Sequence, residues 1–247
     1  MESTNIIFGI HAVMEALLSQ TQIEKVLLKN GIENAATEKL LALCREKQVP
    51  VQYVPVEKLN RLTAGRHQGT VAFTAQIAYI PLEEAVEAAC AKDRHPLVLL
   101  LDGVTDVRNF GAMARTAECA GVSIIILPAK GGATPNADAI KTSAGALLRI
   151  PICRVPNLRM AIYYLKEYGF SIVAATEQGS ASITNTDMRN ATAIVLGAED
   201  VGISSSVLAL CDHKAFIPMR GSIASLNVSA AAAVVLFEAV RQQIDHL

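Results

Sequence analysis

One stretch governs what this chain can become: Leu97-Val98-Leu99-Leu100-Leu101, an apolar run without a polar interruption. A strand that buries only one face alternates apolar and polar residues, whereas a continuous run predicts a strand covered on both faces. Such strands belong to mostly parallel sheets flanked by helices. The pattern then repeats. Asn109 to Ala120 reads as a helix with Asn109 as N-cap and Gly121 as its stop, and Ser123 to Leu127 as a second buried strand. Ser171 to Ala175 and Ala193 to Leu196 read as further strands, and Ser225 to Gln243 as a long closing helix. The fold class is α/β, with a largely parallel sheet in the C-terminal part.

The first 75 or so residues predict a separate, small α/β unit. Ile10 to Leu18 and Asn34 to Lys47 carry apolar residues at helical spacing, while Ile23 to Leu28, Val51 to Val54 and Thr70 to Thr74 look like strands. Between the last two lies Arg61-Leu62-Thr63-Ala64-Gly65-Arg66-His67-Gln68-Gly69, a polar, basic loop. We place domain boundaries at 1–76 and 97–247. Residues 77–96 form a linker that holds one charged helix, Leu82 to Lys92, with Pro81 suiting its first turn.

Composition excludes several classes. The 5 cysteines are scattered without C-x-x-C pairing and the 5 histidines show no H-E-x-x-H spacing, which argues against a disulfide framework and a metal centre. No apolar run approaches the ~20 residues of a membrane span. The N-terminus lacks the pattern of a secretory signal, so a cytoplasmic address is expected. A formal net charge of −1 does not announce a nucleic-acid partner, although a neutral total can hide a basic face. Trp is absent and aromatic residues are few, which disfavours an extended stacking platform for single strands.

Three groups of polar residues stand out, the first two where strands end, the edge at which open α/β sheets bind ligands. The first, Asp102 to Arg115, leaves the buried strand and enters a helix whose apolar stripe is Phe110, Met113, Ala114 and Ala117. Gly111, Arg115 and Glu118 fall on a different face, where Arg115 and Glu118 are spaced for a solvated i,i+3 pair. In the second, Val195 to Ser204, Gly197 ends a strand and Glu199 and Asp200 follow at once. The third, Ile217 to Ser229, opens the closing helix. Singly, each also fits a capped helix or a solvated turn.

Their order is more specific. Asn109-x-Gly111-x-x-x-Arg115, then Leu196-Gly197-Ala198-Glu199-x-x-Gly202, then Ile217-Pro218-Met219 with Ser225-Leu226-Asn227-Val228-Ser229-x-Ala231 nearby, resemble the three motifs of SpoU-type RNA ribose methyltransferases, of the SPOUT superfamily. Phe8-Gly9-Ile10-His11-Ala12-Val13, His67-Gln68-Gly69 and Ile140-Lys141-Thr142-Ser143-Ala144-Gly145-Ala146 look like the branch that methylates a guanosine 2′-hydroxyl in 23S ribosomal RNA. Thr70 departs from that pattern, since an apolar residue is usual there. The resemblance implies a ribosomal-protein-like RNA-binding domain followed by a catalytic domain with a trefoil knot, assembled as a homodimer without a metal. It further implies S-adenosylmethionine as cofactor, held by Gly197, Ile217, Leu226 and Ser225, with Arg115, Asn109, Glu199 and Asn227 as catalytic residues. Arg61, Arg66 and His67 would then meet RNA. A dinucleotide oxidoreductase lacks its G-x-G-x-x-G here, and a serine hydrolase its G-x-S-x-G.

Overall fold

The structure is a computed structural model describing residues 6–19, 21, 23–32, 34–63, 65–74, 77–223 and 225–244. The first five residues, Ala64 and Ala224, which fall within stretches read above, lie outside the described residues. The chain divides into two compact units, 1–78 and 79–247.

The first unit has a mixed four-stranded sheet. Its elements are β1 (Ile6–Phe8), α1 (Ile10–Leu18), β2 (Ile23–Lys29), α2 (Ala35–Glu46), β3 (Val51–Val54), α3 (Val56–Leu62) and β4 (Thr70–Thr74). The strand order is β1-β4-β2-β3. β4 runs antiparallel to both of its neighbours, and β2 pairs parallel with β3. Val13, Leu17, Leu40 and Cys44 pack with Val26 and Leu28 in one core, while Leu59 joins Leu27, Val54 and Val71 in a second. Asn34 caps α2 by accepting from the Thr37 N–H, at 2.9 Å. Two features differ from expectation. β1 is too short to show a period, and α3 takes Arg61 out of the loop and onto a last helical turn.

The second unit begins with α4 (Leu82–Lys92) and continues through β5 (Leu97–Asp102), α5 (Val107–Cys119), β6 (Ile124–Pro128), α6 (Ala137–Thr142), β7 (Ile152–Val155) and α7 (Leu158–Glu167). It closes with β8 (Ser171–Ala175), β9 (Ala181–Ser182), β10 (Thr192–Gly197), α8 (Ser205–Leu208), β11 (His213–Phe216) and α9 (Val228–Ile244). Every pairing in its seven-stranded sheet is parallel, in the order β7-β6-β5-β10-β8-β11-β9. Val98, Leu99 and Leu100 of β5 have no accessible surface. Burying each is worth roughly 1.5–3 kcal/mol relative to exposure, which accounts for the uninterrupted apolar run.

The linker expectation is corrected here. Leu82, Ala85, Val86 and Ala89 of α4 join Val98 and Leu100 of β5 and Leu158, Ile162 and Leu165 of α7 in one core. Tyr79 bridges Ile152, and the Ile80 N–H donates to the Ile152 carbonyl at 2.9 Å. Residues 79–96 are thus a layer of the second unit, because the apolar face of α4 covers the sheet.

After β5 the chain lays β6 and β7 on one side of it, while β10 takes the other side. The carboxyl ends of β5 and β10 therefore flank a topological switch point, where the connecting loops diverge and leave a crevice. Gly197, the last residue of β10, pairs with Asp102, the last of β5.

Candidate active site

Three segments reach the crevice. Past β10 the chain folds back on itself, with Ala198 and Gly202 exchanging both backbone hydrogen bonds at 3.1 and 2.9 Å. Gly202 supplies the required left-handed conformation, at φ +69°. Glu199, Asp200 and Val201 stand exposed on this short loop. Asp102 ties it to β5 by accepting from the Ser204 N–H at 2.7 Å. Gly197 has no room for a side chain: a Cβ would lie 2.1 Å from the Gly202 carbonyl carbon and 2.3 Å from the Ile203 nitrogen.

Four stretches, within 175–178, 196–203, 217–219 and 225–231, enclose a cavity of about 330 Å³, at the lower end of the usual range for small-molecule sites. Gly197, Ile217, Ser225 and Leu226, named above as cofactor contacts, all line it, as does Glu199. Thr176, Glu177 and Gln178, which follow β8, line it too and escaped the sequence reading. Their position directly after a buried strand was the available signal. Met219, Val228 and Ala231 of the third motif line it as well. The lining includes the carboxylates of Glu177, Glu199 and Asp200 and no lysine or arginine, so the wall favours a cationic ligand.

Asn109, Glu199 and Asn227 close a hydrogen-bonded triangle. The Asn109 amide donates to Glu199 Oε2 at 3.1 Å, and the Asn227 amide donates to Glu199 Oε1 at 3.2 Å and to Asn109 Oδ1 at 3.1 Å. Two helix starts differ from expectation and make this possible. α5 is capped by Asp106, whose carboxylate accepts from the Arg108 and Asn109 N–H groups at 2.9 and 2.8 Å. Asn109 is therefore inside the first turn, its side chain released from capping. α9 begins at Val228 instead of Ser225, and Asn227 Oδ1 accepts from the Ser229 N–H and hydroxyl at 2.9 and 2.6 Å. One Asn227 atom thus stabilises the helix start while the other faces the triangle.

Arg115 does not join this group. It is exposed and makes no hydrogen bond or ion pair among the described residues. Six residues after Asn109, it is rotated by roughly 240° about the helix axis. Nor does it pair with Glu118, whose carboxylate lies 3.7 Å from Arg149 instead. Gly111 is buried, contrary to the face assigned above, because α6 presses on it. A Cβ there would meet Thr142 Cβ at 2.7 Å and the Ala139 carbonyl oxygen at 2.9 Å.

The cysteines offer no nucleophile here. Burial pushes the Cys153 thiol up to about 12, with Glu83 and Glu84 adding to it, and burial raises Cys44 and Cys211 to about 11. Among the described residues, no group of three His, Cys, Asp or Glu side chains is placed to hold a metal ion, and no helix is long and apolar enough to cross a membrane.

In the first unit, the loop before β4 contributes Arg66, exposed, and His67. His67 is less free than expected. Its Nδ1 accepts from the Gly69 N–H at 3.0 Å, which leaves the proton on Nε2, 2.8 Å from Asn60 Oδ1. Both ring nitrogens hold the loop in shape, and Arg61 and Arg66 remain as its cations.

Residues 96–237 match the SpoU rRNA Methylase family, over a stretch that contains the cavity and the triangle. The chain belongs to that family. Residues 6–80 match a second model, described as RNA 2′-O ribose methyltransferase substrate binding. This SpoU-family chain is 34% identical over 245 residues to a TrmH-family tRNA/rRNA methyltransferase of Staphylococcus aureus, covering 99% of this chain and 98% of that protein. An AdoMet-bound rRNA methyltransferase from Sinorhizobium meliloti superposes with a TM-score of 0.60 at 26% identity, over 96% of this chain and 86% of the other. A TrmH/SpoU tRNA-modifying enzyme from A. aeolicus matches with a TM-score of 0.57 at 29% identity, over 67% of this chain and 85% of its own.

Proposed function

We propose that this SpoU-family enzyme transfers a methyl group from S-adenosylmethionine to a guanosine ribose 2′-hydroxyl of 23S ribosomal RNA. The observation that carries the reading is the Asn109–Glu199–Asn227 triangle, whose Glu199 also lines the cavity. The cavity fits the cofactor's chemistry. Leu196, Ile217, Leu226 and Val228 offer an apolar seat for a flat base, backbone groups at the strand ends suit ribose hydroxyls, and the acidic wall suits a cation. When bound, the sulfonium supplies an electrophilic methyl and departs as a neutral thioether.

The chain's own residues must orient the hydroxyl and dispose of its proton as the new O–C bond forms and the S–C bond breaks. A guanidinium is nearly always protonated, so Arg115 makes a poor base. Its open position suits a clamp on a phosphate of the RNA and stabilisation of charge developing on the ribose oxygen. Glu199 is the anion of the triangle and takes the proton. Asn109 and Asn227 fix the direction of its carboxylate. The homodimer and the trefoil knot implied by the resemblance belong to the same proposal. Val234 and Phe237 on α9, with 40% and 48% of their surface exposed, give a second copy an apolar face to cover. Light scattering would read a mass of two chains.

Ribosomal RNA is favoured over tRNA because the tRNA-modifying A. aeolicus enzyme leaves much of this chain unmatched. The deciding experiment follows tritium from labelled S-adenosylmethionine into 23S, 16S and transfer RNA. Transfer into 23S RNA is expected, lowered about 100-fold or more in Glu199→Gln while cofactor binding persists. Preferential labelling of tRNA would replace the substrate, and no labelling of any RNA would overturn the activity.

A further inference from the structure

The Phe8-Gly9 motif and the His67-Gln68-Gly69 motif, far apart in sequence, meet in the first unit. Phe8 lies on the outer strand β1 and keeps 39% of its surface exposed. Its ring lies against Gly65, where a Cβ would come 2.4 Å from Cε2 and 2.6 Å from Cζ. Any side chain at 65 would displace the ring. Gly9 borders the same loop, its Cβ position 3.7 Å from the Arg66 carbonyl oxygen.

That loop is held rigidly. His67 bridges Asn60 and the Gly69 N–H, and the Gly65 N–H donates to Thr63 Oγ1 at 3.0 Å. Gln68 adopts a left-handed φ of 50°, uncommon for a residue with a side chain. An open cavity of about 460 Å³ is lined by Asn60, Thr63, Gly65, Arg66, His67 and Gln68, without an acidic group. Arg66 makes no ion pair among the described residues.

We propose that Phe8 is a stacking seat for one unpaired RNA base, with Arg66 holding an adjacent phosphate. This rests on the reading that the substrate is RNA, and it names what the first unit recognises: an unpaired nucleotide. An exposed ring backed by glycine presents a π-face that any base can use, and the neighbouring cation meets the backbone charge. The paucity of aromatics rules out a long platform but leaves a single seat.

The test uses the full chain and a 12-nucleotide oligoadenylate with a central 2-aminopurine, alone and annealed to its complement. The wild type should prefer the single strand and quench the probe. Phe8→Leu, which keeps an apolar group on Gly65, should bind the single strand roughly tenfold more weakly, lose the quenching and keep the salt slope. Phe8→Tyr should restore both affinity and quenching. Unchanged binding in Phe8→Leu, or a loss that Phe8→Tyr does not rescue, overturns the seat. If the wild type fails to methylate 23S RNA while these oligonucleotide results hold, the proposed function falls and the stacking seat stands.

Discussion

The cavity beside β10 and the loop ahead of β4 both form where a strand meets irregular chain, yet they differ in provenance and in sign. The cavity gathers residues from four stretches spread between 175 and 231 and presents three carboxylates without a lysine or arginine. The loop takes its lining from residues 60–68 and presents Arg66 without an acid. In the proposed function a cationic ligand and an anionic one are thereby assigned to separate units. The net charge of −1, a balance of 22 Lys and Arg against 23 Asp and Glu, conceals both local excesses.

The sharpest way to break this comparison is at Gly197. In Gly197→Val the Cβ must displace the Gly202–Ile203 backbone, which carries Glu199. The geometry indicates collapse of the loop that forms the pocket wall. Calorimetry should detect no S-adenosylmethionine binding, with stability lowered by roughly 3 kcal/mol, while oligonucleotide binding by the first unit survives. Retained cofactor binding would place the pocket elsewhere.

Arg115→Ala comes next. Because the side chain is exposed and makes no hydrogen bond or ion pair among the described residues, turnover should fall by two or more orders of magnitude with cofactor affinity and melting temperature nearly unchanged. Arg115→Lys should fail similarly, since an ammonium lacks the planar fork. Steady-state methylation assays decide both. For the loop, the double change Arg61→Ala with Arg66→Ala should flatten the plot of log affinity against log salt by roughly 1.4–1.8 units and leave calorimetric cofactor binding intact. An unaltered slope would remove these residues from the RNA interface.

The smallest effect concerns Thr70. It is fully buried, and its hydroxyl oxygen has no hydrogen-bond partner among the described residues. An unsatisfied buried hydroxyl costs about 1–3 kcal/mol, so Thr70→Val should stabilise the chain by roughly 1 kcal/mol in thermal unfolding. Destabilisation would mean that the hydroxyl has a partner after all. The residue that departs from the family pattern thus also carries a local energetic cost.

The parallel sheet was legible because strands buried on both faces must be apolar throughout. The polar residues left at their ends are few enough to notice, as Glu199 was, whereas Gly197, Ile217, Ser225 and Leu226 were named through the family resemblance; all five line one cavity. The helix starts were less legible, since Asp106, Asn109, Ser225 and Asn227 are all good caps by residue type. Only geometry shows that Asp106 serves α5. The triangle was unreadable as contacts: Asn109 and Asn227 are separated by 118 positions, and propensity carries no information over that distance. Phe8 was noted as part of a motif, but no periodicity places its ring on Gly65.

The seating of α4 on the sheet has a consequence for how such enzymes could trade their targets. A recognition module exchanged by recombination at 78/79 would leave α4 with the catalytic half. A crossover at 96/97 would carry α4 away with it. The recipient would lose the cover over β6 and β7, whose Ile124, Ile126 and Cys153 share a core with α4, and bare strand surface of that kind invites aggregation. Selection among chimaeras should therefore keep joints ahead of Tyr79, so that the helix travels with the half it protects.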